Sequence, residues 1–62
     1  MPIITLEGPP IANLDLRRTL VSALTDAAAA AYGLPHDKMI VIIHENTREQ
    51  VAVGGTLLAD RP

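Results

Sequence analysis

The chain has 62 residues, a net charge of −2 and no cysteine, while 48% of its residues are hydrophobic. A chain of this length forms one domain, buries only about 60% of its unfolded surface and needs disulfides, metal or partners for stability. Without cysteine it has no disulfide or thiolate zinc site, and its two histidines are too few for a structural metal. Association with other subunits is the remaining source of stability, so we expect an obligate oligomer. We also expect no metal or other cofactor.

A short β-strand is the first predicted element. The run Ile3–Leu6, which begins with three β-branched residues, favours extended structure. It is followed by Glu7-Gly8-Pro9-Pro10, which neither continues a strand nor opens a helix. We interpret this segment as a stiff loop.

A helix follows, with recognisable signals at both ends. Asn13 is a suitable N-cap, and Gly33 with Pro35 terminates the segment. Apolar or small residues recur between them at helical spacing: Leu16, Leu20, Ala23, Leu24, Ala27, Ala28 and Ala31. We expect this stripe to face the core, and Arg17 and Arg18 to lie on or beside its solvent edge.

The run Met39–Ile43 predicts a second strand. It is continuously apolar rather than alternating, which is typical of a strand buried on both faces. One helix covers only one face of such a strand. We therefore expect the other face to contact another subunit.

The remaining residues predict a C-terminal β-hairpin. His44–Gln50 reads as a polar turn, Val51–Val53 as a third β run, and Gly54-Gly55 as a sharp reversal. Leu57 and Leu58 are expected to dock on a neighbouring subunit. The predicted fold class is α/β: one domain over residues 1–62, with a β-α-β unit whose two strands are parallel because a helix joins them.

Several partner classes are excluded by composition. The chain has no basic run and a single aromatic residue, Tyr32, whereas nucleic-acid binding needs clustered cations and stacking rings. No apolar run approaches the roughly 20 residues that span a bilayer, and no signal-peptide pattern is present. We expect a cytoplasmic protein that contacts neither nucleic acid nor membrane.

Pro2 is the residue with the clearest chemical potential. Initiator methionine is commonly removed before proline, which would leave Pro2 with a free secondary amine. An α-amino group ordinarily has a pKa of about 7.7–8.0, and desolvation or a nearby cation lowers it. A base of that strength suits proton abstraction beside a carbonyl. With Met1 retained, the same nitrogen is an amide and has no basicity.

Segments along nearly the whole chain resemble the 4-oxalocrotonate tautomerase family. They are Met1-Pro2-Ile3, Glu7-Gly8, Tyr32-Gly33-Leu34-Pro35, Ile43-His44-Glu45-Asn46 and Val51-Ala52-Val53-Gly54-Gly55. The resemblance implies β-α-β subunits that pair their strands into a four-stranded sheet, three such dimers forming a hexamer. It also implies an isomerase, of the kind used in aromatic-compound degradation, in which Pro2 moves a proton between the enol and keto forms of a 2-hydroxymuconate-like acid.

The chain departs from the family pattern at three positions. The resemblance predicts an arginine shortly after the Glu-Gly turn and another early in the second strand, but Pro9-Pro10 and Ile40 stand there. It predicts an aromatic residue before the glycine hairpin, where this chain has Val51. The proposed base Pro2 therefore matches the family pattern, whereas the three residues expected to assist it do not.

A 2-oxo acid still requires positive charge for its carboxylate and its developing enolate. The available cations are Arg17, Arg18, Lys38, Arg48 and Arg61. Arg48, in the polar turn before Val51, is our first candidate for substrate binding and Arg17 the second. Arg18, His44, Val51 and Ile40 complete the candidate substrate-binding set.

Two other functions remain open at the level of sequence. The same scaffold and proline support decarboxylation, dehalogenation or hydration. A non-catalytic subunit of a hetero-oligomer, whose partner chain supplies arginines, would also account for the shortage of cations.

Overall fold

The computed structural model describes all 62 residues, Met1–Pro62. The elements in chain order are β1 (Ile3–Gly8), α1 (Leu14–Tyr32), a 3₁₀ turn (His36–Lys38), β2 (Ile40–Glu45), β3 (Ala52–Val53), β4 (Thr56–Leu57) and a second 3₁₀ turn (Leu58–Asp60). The predicted β-α-β unit with a C-terminal hairpin is confirmed. No helix combines the length and apolarity needed to cross a membrane.

The strands β1 and β2 pair in parallel, with Ile3 opposite Ile40 and Gly8 opposite Glu45. Parallel pairing brings the carboxyl ends of both strands to the same edge of the sheet. Both strands run further than predicted, β1 to Gly8 and β2 to Glu45. Their shared carboxyl end therefore carries polar residues.

Local capping determines where α1 begins and ends. The Asn13 side chain accepts hydrogen bonds from the backbone N–H groups of Asp15 (2.8 Å) and Leu16 (3.3 Å). At the other end Gly33 adopts the left-handed conformation, with φ 66°, and its N–H donates to the Ala29 carbonyl. Both predicted ends of the helix are confirmed.

The helix face that packs on the sheet differs from the predicted stripe. Its least exposed residues are Arg17, Leu20, Val21, Leu24, Thr25, Ala28 and Ala29. The other four residues of the predicted stripe, Leu16, Ala23, Ala27 and Ala31, are instead exposed, Leu16 by 61%. The apolar arc of α1 is wider than two strands can cover, so part of it lies outside the contact.

The C-terminal hairpin closes through glycine. Gly54 and Gly55 have φ of 62° and 84°, which is the requirement of a two-residue type I′ turn between antiparallel strands. Beyond the hairpin, the Leu58 N–H donates to the Val51 carbonyl at 2.9 Å. This backbone bond fixes Leu58 beside the start of β3 within the subunit, and its docking on a neighbour stays a prediction.

A single subunit has almost no interior. Ala29 is its only buried residue. The radius of gyration is 15.0 Å, against about 11 Å for a compact domain of this length. On the sheet face opposite α1, Ile40 and Ile42 remain 38% and 40% exposed. The helix covers one face only, so the subunit leaves an apolar sheet surface open.

Candidate active site

A groove of about 550 Å³ lies at the carboxyl end of the β1–β2 pair. Its lining residues are Glu7, Gly8, Pro9, Asn46, Thr47, Arg48, Val51 and Leu58. They come from the end of β1, the turn after β2 and the chain just beyond the hairpin. We call this cavity the strand-end groove.

Backbone hydrogen bonds hold the walls of the groove together. The Asn46 N–H donates to the Gly8 carbonyl at 2.8 Å and extends the sheet beyond β2. The Thr47 N–H donates to the Gln50 side-chain oxygen at 2.8 Å, and the Gln50 N–H donates back to the Thr47 carbonyl at 3.0 Å. The turn that carries Arg48 is therefore closed on itself.

Arg48 is the cation of the strand-end groove. Its Nη2 donates to the Leu58 carbonyl at 2.5 Å, and its own carbonyl accepts from the Ala59 N–H at 3.0 Å. It forms no ion pair with a carboxylate of the chain, unlike Arg17 and Arg18. A guanidinium has five N–H donors, so Arg48 retains donors for an anionic ligand.

Pro2 lies at the opposite end of the same strands. Its carbonyl accepts a hydrogen bond from the Ile40 N–H at 3.1 Å. Pro2 is half-buried, whereas Met1 before it is 76% exposed. Removing Met1 therefore disturbs little packing. From Pro2 to Gly8 the extended chain covers about 20 Å, so Pro2 does not reach the groove of its own subunit.

Arg17 does not line the strand-end groove and instead binds Glu45 and the Ile11 carbonyl. Its Nη2 lies 2.5 Å from Glu45 Oε1, while Nε and Nη2 both donate to the Ile11 carbonyl, at 3.1 and 2.9 Å. Glu45 Oε2 accepts from the Ile11 N–H at 2.6 Å. The three residues tie the loop after β1 to the end of β2. Glu45 thus pairs with Arg17 within the subunit.

The other sequence candidates fall in different places. Arg18 pairs with Asp15 at 2.7 Å on the exposed helix surface. His44 lies on the open sheet face with its Nδ1 3.7 Å from Glu7 Oε1, too long for a hydrogen bond, and it does not line the groove. The structure brings Arg48 and Val51 together and places Ile40 beside Pro2.

Sequence reasoning assigned no ligand-binding role to three polar lining residues, Glu7, Asn46 and Thr47. The signal that points to them is their position directly at the end of two parallel strands, where loops gather at one edge. No group of three or more histidine or acidic side chains could hold a metal ion.

Comparison with known proteins agrees with this architecture. The chain matches the family model described as tautomerase enzyme over residues 2–61. DmpI from Archaeoglobus fulgidus is 37% identical, with a TM-score of 0.84, and the match covers 95% of this chain and 100% of that one. TomN, a 4-oxalocrotonate tautomerase homologue of the tomaymycin biosynthetic pathway, is 32% identical, with a TM-score of 0.85 and coverage of 97% and 92%.

A third similar structure is a heterohexameric 4-oxalocrotonate tautomerase from Chloroflexus aurantiacus. It is 28% identical, with a TM-score of 0.82 and coverage of 97% of both chains. Among proteins with curated descriptions, none matches significantly in sequence. The family match over residues 2–61, together with the β-α-β fold, shows that this chain belongs to the tautomerase family, among the homologues of 4-oxalocrotonate tautomerase.

Proposed function

We propose that the chain is an isomerase that interconverts the enol and keto forms of an unsaturated 2-oxo acid. In the forward step the Pro2 amine takes the proton of the 2-hydroxyl group, the enol electrons shift to form the 2-oxo group, and the same proton is delivered to a carbon of the conjugated chain. The observation that carries the proposal is the position of Pro2: half-buried, anchored by its carbonyl to β2, and preceded by exposed Met1.

The proposed site is formed between subunits. A two-fold axis that pairs like strands edge to edge makes them antiparallel. Such pairing brings the start of β1 in one subunit toward the strand-end groove of its partner. The open apolar face and the lack of a buried core support self-association, with a trimer of dimers as the proposed assembly and the cytoplasm as the proposed location.

Arg48 is proposed to bind the substrate carboxylate and to stabilise the enolate oxygen. A positioned cation is worth most where water is excluded and charge develops in the transition state. Asn46 and Thr47 supply neutral hydrogen-bonding groups at the same groove. The groove would therefore orient the acid, and Pro2 would transfer the proton.

The direct test combines an N-terminal mass with a turnover assay on 2-hydroxymuconate and phenylenolpyruvate. The amine form, which lacks Met1, should isomerise at least one of these acids. Acylation of Pro2, or retained Met1, should lower kcat/KM by 10³-fold or more, since a general base contributes about 10²–10⁴. Pro2→Ala keeps an amine and should retain part of the activity. Full activity with Met1 attached would contradict the proposal.

A hetero-oligomer is the second candidate, because Arg17 and Arg18 are already occupied by carboxylates. The similar Chloroflexus aurantiacus protein is a heterohexamer. Native mass spectrometry of the purified chain separates the two cases. An active homohexamer favours the first, and an inactive or unassembled chain favours the second.

A further inference from the structure

We propose that the site selects 2-oxo acids with a single carboxylate and an apolar remainder over dicarboxylic acids. This inference rests on the proposed function and names the substrate class of the same site. Three observations support it: the ion pairs that already occupy Arg17 and Arg18, the Glu7 side chain that lines the groove, and the apolar residues at both ends of the strands.

Two of the four arginines are unavailable to a second carboxylate. Arg17 is held by Glu45 and the Ile11 carbonyl, and Arg18 by Asp15. Withdrawing Arg17 would leave the Glu45 side chain, only 23% exposed, without its counter-charge. In a homo-oligomer every partner copy repeats the same pairs. Association therefore adds no arginine beyond Arg48 and the near-terminal Arg61.

The charge that remains at the composite site matches one carboxylate. Arg48 lines the strand-end groove, but so does Glu7. Lys38 ends the 3₁₀ turn before β2, at the Pro2 end, and could join the site from the partner copy. Arg61 does not line the groove, so Arg48 and Lys38 against Glu7 leave a net charge of +1. A second carboxylate would exceed that charge and would be repelled by Glu7.

The apolar lining indicates what the rest of the substrate is. Pro9, Val51 and Leu58 contribute carbon surface to the groove. At the other end, Ile40 is hydrogen-bonded to the Pro2 carbonyl through its backbone and is 38% exposed. An apolar substituent gains from contact with these residues, whereas a charged group loses its water without a counter-ion.

The test uses two acids with the same six-carbon skeleton, 2-hydroxymuconate and 2-hydroxyhexa-2,4-dienoate. With the homo-oligomer whose Met1 is removed, kcat/KM should be at least tenfold higher for the monocarboxylate at low ionic strength. Glu7→Gln should shift the ratio toward the dicarboxylate by about tenfold. Glu49→Gln makes the same charge change outside the groove and is the matched control, with no expected shift. A wild-type preference for the dicarboxylate, or an unchanged ratio in Glu7→Gln, would overturn the inference.

A binding measurement separates this inference from the proposed function. Muconate and hexa-2,4-dienoate are unreactive analogues that differ only in the second carboxylate, and calorimetry gives the affinity of each without turnover. Hexa-2,4-dienoate should bind at least tenfold more tightly. Tighter binding of muconate would refute the charge argument even in an inactive protein, whereas the expected binding order without turnover would refute only the isomerase proposal.

Discussion

The two ends of the β1–β2 pair have complementary chemistry. The amino end carries Pro2, the proposed base, beside the apolar side chain of Ile40, and no groove is formed there. The carboxyl end carries a groove and the guanidinium of Arg48, but no proposed base. About 20 Å of strand separates them. Proton transfer on an acid requires both a base and a cation, and each end of the strand pair supplies only one of them.

This contrast makes assembly part of the proposed activity rather than only of stability. Reversing the strand direction across a two-fold axis places unlike ends side by side. The same axis covers strand edges that an isolated subunit leaves open. In the proposed assembly, a subunit with one buried residue would gain its interior and its complete site together.

The largest effect should come from preventing that association. Ile42→Asp puts a charge on the sheet face opposite α1, where Ile42 is 40% exposed in the single subunit. If this face is covered in the oligomer, the buried unpaired charge should abolish assembly and all activity. Sedimentation and a concentration-dependent Tm report the result. Ser22→Asp, which adds the same charge at an exposed position of α1, is the control. A hexamer that survives Ile42→Asp would show that the face is solvated.

The second-largest effect should be a loss of kcat/KM on removing the cation of the strand-end groove. Arg48→Ala should lower kcat/KM by 10²-fold or more, equivalent to about 2.7 kcal/mol of transition-state stabilisation. The loss should appear without dissociation of the oligomer. Arg18→Ala removes the same charge from the exposed helix surface and should change kcat/KM by less than threefold. Equal losses in both variants would argue against a specific role for Arg48.

The smallest effect should be on stability, at the ion pair that ties the loop after β1 to β2. Arg17→Met leaves the partly exposed Glu45 carboxylate and the Ile11 carbonyl without a donor. We expect a loss of about 1–2 kcal/mol, because solvent screening reduces the 3–5 kcal/mol typical of fully buried pairs. Denaturant unfolding at fixed protein concentration measures it. A change of 10²-fold in kcat/KM with unchanged stability would instead indicate that Arg17 binds substrate.

The sequence was most informative where structure depends on a few adjacent residues. Asn13, Gly33 and the Gly54-Gly55 turn act through their own backbone conformation or their near neighbours. The covered face of α1 was predicted only in part: Leu20, Leu24 and Ala28 lie on it, but an alanine-rich segment is apolar over a wide arc. Only the position of the two strands decides which part of that arc is covered.

The site could be predicted only in part, for a similar reason. Pro2 was a candidate by chemical type and by resemblance, and Arg48 as an available cation, and both roles stay predictions. The role of Arg17 was not, because its partner Glu45 lies on another element and the loop at Ile11 reaches Glu45 across 34 positions of sequence. Contacts between distant residues depend on the folded loop, which no local pattern encodes.

Subunit mixing tests most directly whether Pro2 and Arg48 of different subunits form one site. Two inactive proteins, one with Pro2 acylated and one carrying Arg48→Ala, are unfolded together and refolded as mixed oligomers. If each site takes Pro2 from one subunit and Arg48 from another, random mixing restores about one quarter of the wild-type sites, and activity should rise to about that fraction. If both residues act within one subunit, every site keeps one defect, and a mixture no more active than its separate components would contradict the account.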